Sequence, residues 1–231
     1  MRIGILFSGG KDSTFTLSYY LEQAWDVACL ISLLPKNTDS YMFQTPDLAI
    51  TKLQAKTLGL PLITQETNGE KEKELLDLKK VLQRAKNKYK LDGVAVGALA
   101  SDYQQERVNR ICHELDLKCF APLWHKDQAM LLRELILSGF DVRMVSIAAD
   151  GLSKEWLGRT LTLKDHAKLV GLHQKIGLHV AGEGGEYETL VFDGPIFNER
   201  IEVAKSHIEM EGECTGKWVI EKATLEKKIT S

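Results

Sequence analysis

A short apolar run, Ile3 to Phe7, ends in Ser8-Gly9-Gly10-Lys11-Asp12-Ser13, and helix-compatible residues follow. This junction constrains the chain more than any other stretch. Two adjacent glycines reach backbone conformations closed to other residues and let a ligand approach the main chain closely. Successive N–H groups at the start of a helix then form a concave, positively polarised seat for an anion. Ser8 and Ser13 add hydroxyl donors, and Lys11 adds a point charge. Asp12 makes no sense as a phosphate contact, but it suits the Mg²⁺ that accompanies ATP. The pattern is not the Walker loop, in which a glycine stands five residues before the Gly-Lys pair and Ser or Thr follows it. Here those positions are Ile5 and Asp12.

The surrounding sequence says what carries the loop. Strand and helix signals alternate through the first half. Val27 to Leu33 reads as a second buried strand, and Thr45-Pro46 as the capped opening of a helix that closes at Gly59 and Pro61. After a short strand at Leu62 to Gln65 comes the most regular helix, about Glu70 to Leu91, with Leu75, Leu78, Leu82, Ala85 and Tyr89 on one face. Gly93 to Val96 is a further strand. Ser101 and Gln104 then stand at capping-box spacing. Such alternation predicts a parallel sheet covered on both faces. Its ligand site should lie beyond the carboxyl ends of the strands, on the loops that begin at Ser8, Leu34 and Gly97. The second half reads as a smaller α+β domain. A helix is expected at Asp127 to Ser138, a strand at Arg143 to Ala148, a helix at Leu163 to Ile176, and short strands near Ile201 to Ala204 and Lys217 to Ala223. The domains are set at 1–124 and 125–231.

Bulk properties exclude several classes. Thirty basic residues against 32 acidic give a net charge of −2 in 231 residues, which leaves no general basic footprint for nucleic acid. No apolar run reaches transmembrane length, and the N-terminus enters a strand without a signal-peptide pattern. A membrane partner is therefore not expected, and a cytoplasmic protein is. Cys29, Cys112, Cys119 and Cys214 form no C-x-x-C pair, so zinc, redox and disulfide readings are weak. They read as buried or incidental thiols of a reducing compartment.

A second stretch, "GEGGEYETLVFDGP" from Gly182 to Pro195, sets three glutamates around two glycines. A tight turn at Gly184-Gly185 could present Glu183, Glu186 and Glu188 together to a cationic group, ammonium or a second metal. The competing reading is a solvated turn before a strand. In "GALASDYQ", one reading puts Gly97 and Ala98 near adenosine with Tyr103 and Gln104 facing the cleft, and the other is local, with Ser101 and Gln104 as a capping box and Tyr103 packing. His125 and Trp124, near the domain junction, read as structural.

Ser8 to Ser13 resembles the phosphate loop of the N-type ATP pyrophosphatases, and Glu183 to Thr189 resembles the E-G-G-E-[FY]-E-T signature of the diphthine–ammonia ligase family. "SYMFQT", "LQAKTLGLPL", "GALASDYQQERV" and "GLSKEWLGR" match the same family in order along nearly the whole chain. The resemblance implies a HUP-type α/β fold: a parallel sheet sandwiched by helices, with a smaller C-terminal α+β domain. It implies ATP cleavage between the α- and β-phosphates, adenylation of the diphthine carboxylate on elongation factor 2, and attack by free ammonium-derived ammonia to give diphthamide, AMP and pyrophosphate. Catalytic roles then fall to Lys11, Asp12 and Ser13, with Mg²⁺ on Asp12. ATP falls to Ser8, Gly9, Gly10, Lys11, Ser13, Gly97, Ala98 and Tyr103, and the acceptor to Glu183, Gly184, Gly185, Glu186, Tyr187 and Glu188. Alternatives on the same fold are a different small carboxylate acceptor, a tRNA-modifying enzyme, which needs cysteines this chain does not pair, and a non-catalytic ATP-binding protein. The resemblance favours a compact archaeal or bacterial-type form, without the additional C-terminal domains expected in longer eukaryotic relatives.

Overall fold

The computed structural model describes residues 1–35, 47–67, 71–97 and 102–228. The chain divides into two compact units, Met1–Trp124 and His125–Ser231.

In the first unit, strands β1 (Arg2–Leu6), β2 (Asp26–Pro35), β3 (Leu62–Thr67), β4 (Gly93–Ala95) and β5 (Lys118–Phe120) alternate with helices α1 (Lys11–Glu22), α2 (Leu48–Thr57), α3 (Lys71–Tyr89) and α4 (Asp102–Glu114). The strands form one parallel sheet in the order β3-β2-β1-β4-β5. Consecutive residues Cys29, Leu30 and Ile31 of β2 are all fully buried, which requires cover on both faces of the sheet. Leu78, Val81, Leu82 and Ala85 of α3 supply part of that cover, with Leu75 and Tyr89 packed at its margin. The face expected from the 3.6-residue period is the buried one. Helix α2 is capped by Asp47, whose carboxylate accepts from the amides of Ala49 and Ile50 at 2.9 and 3.1 Å. Thr45 and Pro46, the expected cap and opening residue, lie outside the described residues, as do Leu34's sequel at 36–46 and Ser101. Gly59 takes the left-handed conformation after α2, with φ +67°.

The second unit holds α5 (Gln128–Leu137), β6 (Asp141–Ala148), α6 (Leu163–Ile176), β7 (Tyr187–Asp193), β8 (Glu199–Met210) and β9 (Thr215–Lys227). Its strands form an antiparallel sheet in the order β7-β6-β9-β8. Here the sequence reading needs correction. The short strands expected near Ile201 and Lys217 are 12- and 13-residue partners of one long hairpin. Most of their side chains are partly or fully exposed, so the buried period-2 signal that marks a strand is present only in fragments.

Among the described residues no helix is long and apolar enough to cross a membrane.

Candidate functional site

In the first unit, the strand order reverses between β1 and β4, which pair in parallel. Strand β1 connects through α1 to β2 on one side, and β4 connects through α4 to β5 on the other. This is the position where α/β sheets open a crevice for ligands. The phosphate-loop candidates occupy it. The Phe7 amide donates to Ile31 O at 2.8 Å, and the Ser32 hydroxyl donates to Phe7 O, so β2 grips the chain just before the loop. Gly9 then turns at φ +82°, and Gly10 is the first residue before α1. No side chain caps α1, which leaves its N-terminal end suited to an anion.

The two serines close the loop on itself. The Ser8 hydroxyl accepts from the Gly10 amide at 3.3 Å, and the Ser13 hydroxyl donates to Gly10 O at 3.1 Å. Ser13 also accepts from the Ser8 amide, and the two hydroxyls stand 3.3 Å apart. Lys11 is only 4% exposed, and its ammonium donates to Asp12 Oδ2 at 2.6 Å. The cation is thus held at the loop rather than extended into solvent.

Sequence reasoning missed Gln54. This α2 residue is fully buried, and its amide nitrogen donates to Gly9 O at 2.8 Å. A Cβ at position 9 would collide with that same amide, so glycine is required by space as well as by φ. The available signal was a polar residue on the helix face shared by Ile50, Thr51 and Ala55, all buried. A long polar side chain on a buried face needs a partner.

Gly97, expected near adenosine, abuts the loop itself. A Cβ there would lie 3.1 Å from the Asp12 carbonyl carbon and 3.1 Å from the Ser13 amide nitrogen. The β4 loop therefore packs directly on the start of α1. Ala98 lies outside the described residues. Tyr103 stands in α4, and its side chain is not among those described.

The glutamate turn belongs to the second unit, and its three carboxylates are not presented alike. Gly182 and Gly185 both take positive φ, +72° and +87°. Glu186 folds back into the turn: its carboxylate accepts from the His179 amide at 3.0 Å and the Gly184 amide at 2.9 Å. A Cβ on Gly184 would meet those oxygens at 2.8 and 3.0 Å. Glu183 is half-exposed, and its amide donates to His179 Nδ1 at 3.3 Å. His179, another residue the sequence reading passed over, thus holds the turn at two points. Tyr187 is turned into the core: it is 2% exposed, and its hydroxyl donates to Val180 O. The expectation that it lines an acceptor pocket is corrected to that of a buried strut. Glu188 is half-buried in β7. Burial pushes its carboxyl above the usual range, and the charge of Lys217 opposes that rise. Among the described residues no group of three or more His, Cys, Asp and Glu is placed to hold a metal ion.

The stretch "GLSKEWLGR" is structural. Arg159 makes two hydrogen bonds to Asp165, both at 2.7 Å, and stacks on Trp156 at 5.2 Å. Asp165 in turn closes a capping box with Thr162 at the start of α6. Gly158, at φ +77°, lies against the Trp218 ring, where a Cβ would come within 2.8 Å. His125 is exposed with φ +54°. The cysteines are all free. Cys112 and Cys119, separate in sequence, meet in the fold, Cys119 packing against the core cluster that holds Cys112.

A glycine-rich loop ahead of an uncapped helix, at the reversal point of a parallel sheet, defines the first unit as a nucleotide-binding α/β unit of the phosphate-loop type. The chain as a whole is then placed by its relatives. Residues 1–119 match the diphthamide synthase N-terminal domain, and residues 127–226 match the diphthamide synthase C-terminal domain. The diphthine–ammonia ligase of Mus musculus is 36% identical over 91% of this chain and 85% of its own length. That of Danio rerio is 38% identical over 87% and 86%. Among solved structures, the U34-tRNA thiolase NcsA from Methanococcus maripaludis aligns with TM-score 0.39 and 16% identity, over 79% of this chain and 68% of that one. The protein belongs to the diphthine–ammonia ligase family.

Proposed function

We propose that the protein is an ATP-dependent ligase that converts diphthine on elongation factor 2 into diphthamide. The observation that carries this reading is the coexistence of both family domains with a phosphate loop held in a closed, glycine-dependent form. A carboxylate is a poor electrophile at neutral pH, and adenylation gives it a leaving group. One diphthine carboxylate oxygen bonds to the α-phosphorus of ATP as the α–β bond breaks and pyrophosphate departs. Ammonia then bonds to the acyl carbon, AMP leaves, and the nitrogen loses a proton to give the amide. The reaction is one of positioning and charge neutralisation.

The chain's own groups divide this task. The backbone of Gly9 and Gly10 and the end of α1 would hold the phosphates that leave, with Ser8 and Ser13 as hydroxyl donors. Lys11 would neutralise charge that builds on pyrophosphate. Asp12, a single carboxylate beside a phosphate seat, is the donor set that Mg²⁺ takes when it also binds nucleotide oxygens and water. When bound, that ion would supply Lewis-acid stabilisation of the phosphates. Gly97 keeps the β4 loop close to this seat, with Ala98 and Tyr103 of the same segment assigned to ATP. In the second unit, the turn from Glu183 to Glu188 would recognise the acceptor. Glu183 and Glu188 supply charge, while Gly184, Gly185, Glu186 and Tyr187 set the turn's shape. An enzyme acting on a translation factor would work in the cytoplasm.

The test is incubation with ATP, Mg²⁺ and ammonium chloride, with and without diphthine-bearing elongation factor 2. AMP and pyrophosphate should appear only with the acceptor, and the factor's mass should fall by the difference between an acid and its amide. ADP as product, or AMP release indifferent to the acceptor, would overturn the reading.

A further inference from the structure

A phosphate seat built from backbone must show N–H groups to the anion and turn its carbonyls elsewhere, because a carbonyl oxygen repels phosphate oxygens. In a planar trans peptide the C=O and N–H of one unit point in opposite directions. Fixing a carbonyl therefore also aims the next residue's amide. Among the described residues no peptide bond is cis. Two buried side chains fix carbonyls of the loop from behind. Ser32, 1% exposed in the apolar run of β2, donates to Phe7 O. Gln54, fully buried in α2, donates to Gly9 O at 2.8 Å. The peptide that carries Phe7 O also carries the Ser8 amide, and the one that carries Gly9 O carries the Gly10 amide. Both amides are thereby aimed away from their anchors. The Ser8 amide meets the Ser13 hydroxyl and the Gly10 amide meets the Ser8 hydroxyl, each at 3.3 Å. Those contacts are long beside the usual separation of about 2.9–3.0 Å. The carbonyls are held firmly and the amides slackly.

We propose that Ser32 and Gln54 are positioning residues of the phosphate seat: by holding the carbonyls of Phe7 and Gly9, they aim the Ser8 and Gly10 amides at incoming phosphate oxygens, to which the two serine hydroxyls yield. The inference rests on the reading of the loop as the seat of the phosphates that leave as pyrophosphate. It adds two residues outside the motif, 25 and 45 positions from the carbonyls they hold. Neither side chain needs to touch the nucleotide. Each peptide needs its own anchor, because Gly9 at φ +82° joins them with a backbone that swings freely. Without its donor a buried carbonyl loses its partner, and the peptide rotates to find another, which turns its amide away from the anion. The third carbonyl of the loop, Gly10 O, is engaged by the Ser13 hydroxyl and the Thr14 amide, so the start of α1 secures it without help from a distant residue.

Two measurements on the full chain test this, with inorganic pyrophosphate and MgCl₂ as the probe. Isothermal titration calorimetry gives the pyrophosphate Kd of the wild type, Ser32→Ala and Gln54→Met. Each variant should bind about three- to tenfold more weakly, the scale of one lost hydrogen bond. Nitrogen-15 NMR reads the amides themselves. Pyrophosphate should move the Ser8 and Gly10 resonances in the wild type. In Ser32→Ala the Ser8 response should shrink, and in Gln54→Met the Gly10 response, while amides remote from the loop keep their wild-type positions. Wild-type Kd values in both variants overturn the proposal. So does weakened binding with shifts spread through the whole unit, which would mark a merely structural role. If the wild type binds pyrophosphate with its Ser8 and Gly10 amides unmoved, the anchoring role fails while the phosphate-seat reading stands. If the wild type binds no pyrophosphate, that reading fails and the proposal falls with it.

Discussion

The side-chain amide of Gln54 donates to the carbonyl oxygen of Gly9 across 2.8 Å, tying a buried helix residue to the one left-handed residue of the phosphate loop. Replacing Gln54 by Met keeps the volume and removes the donor. A buried carbonyl left without it costs about 1–3 kcal/mol. The expected outcome is a lower melting temperature and a KM for ATP raised severalfold, with a smaller change in kcat. Gly9→Ala should be worse, because it adds backbone strain and a collision with Gln54. Thermal melts with and without ATP, beside AMP-release kinetics, check both.

Glu186 is expected to act through the turn it braces. Glu186→Gln keeps one acceptor oxygen and turns an NH₂ toward a backbone N–H. The amides of His179 and Gly184, now held by the carboxylate, should exchange faster by at least about tenfold, the equivalent of losing one hydrogen bond worth roughly 1.5 kcal/mol. Acceptor-dependent AMP release should fall with it. Hydrogen exchange by mass spectrometry over residues 177–188 reads the first effect. Normal exchange with lost turnover would instead mean that the carboxylate meets substrate directly.

Asp165 links stability to pH. Hydrogen bonds from Arg159 hold its carboxyl down at about 2, against the opposing effect of burial, and Thr162 adds to the hold. An unfolded aspartate titrates near 3.9, so the folded state binds fewer protons in this window. The contribution is complete above about pH 4 and is lost as pH falls through about 2. With Arg159 partly exposed, its size is on the order of 1 kcal/mol. Denaturant titrations near pH 5 and near pH 2.5 should show a larger acid loss for the wild type than for Asp165→Asn.

Cysteine reactivity should rank by environment. The interaction between the two thiols pushes Cys112 up, as does its burial, and lowers Cys119, and Cys119 is also the more accessible. Cys29 is fully buried and pushed up to about 12 by burial. Brief treatment with iodoacetamide should therefore label Cys119 well before Cys112 and Cys29. Peptide mass mapping gives the order, and early labelling of Cys29 would contradict it.

The first unit was legible because its signals are local. Period-3.6 faces such as Leu78-Leu82-Ala85 and unbroken apolar strands such as Cys29 to Ile31 each report their own burial. The candidate phosphate loop stands out for the same reason: glycines, hydroxyls and charge sit within six residues. What escaped was whatever depends on a partner distant in sequence. Gln54 is 45 positions from Gly9, and nothing near it in sequence announces the contact. Cys112 and Cys119 are joined because a helix end and the next strand fold back on each other. Glu186 looked like an outward charge, since its inward turn follows only from the closure of Gly182 to Gly185. The β8–β9 hairpin was underestimated because exposure removes the alternation that marks a strand.

That hairpin leaves β8 as the outer margin of its sheet, with 12 residues available to pair with a foreign strand. Its side chains answer this with alternating charge. Arg200 meets Glu202 and Glu226, Lys205 meets Glu221, and His207 lies between Glu209 and Glu221. A second ribbon docking along this margin would strip water from charged pairs already satisfied. The ladder thus guards a long open strand against edge-to-edge aggregation.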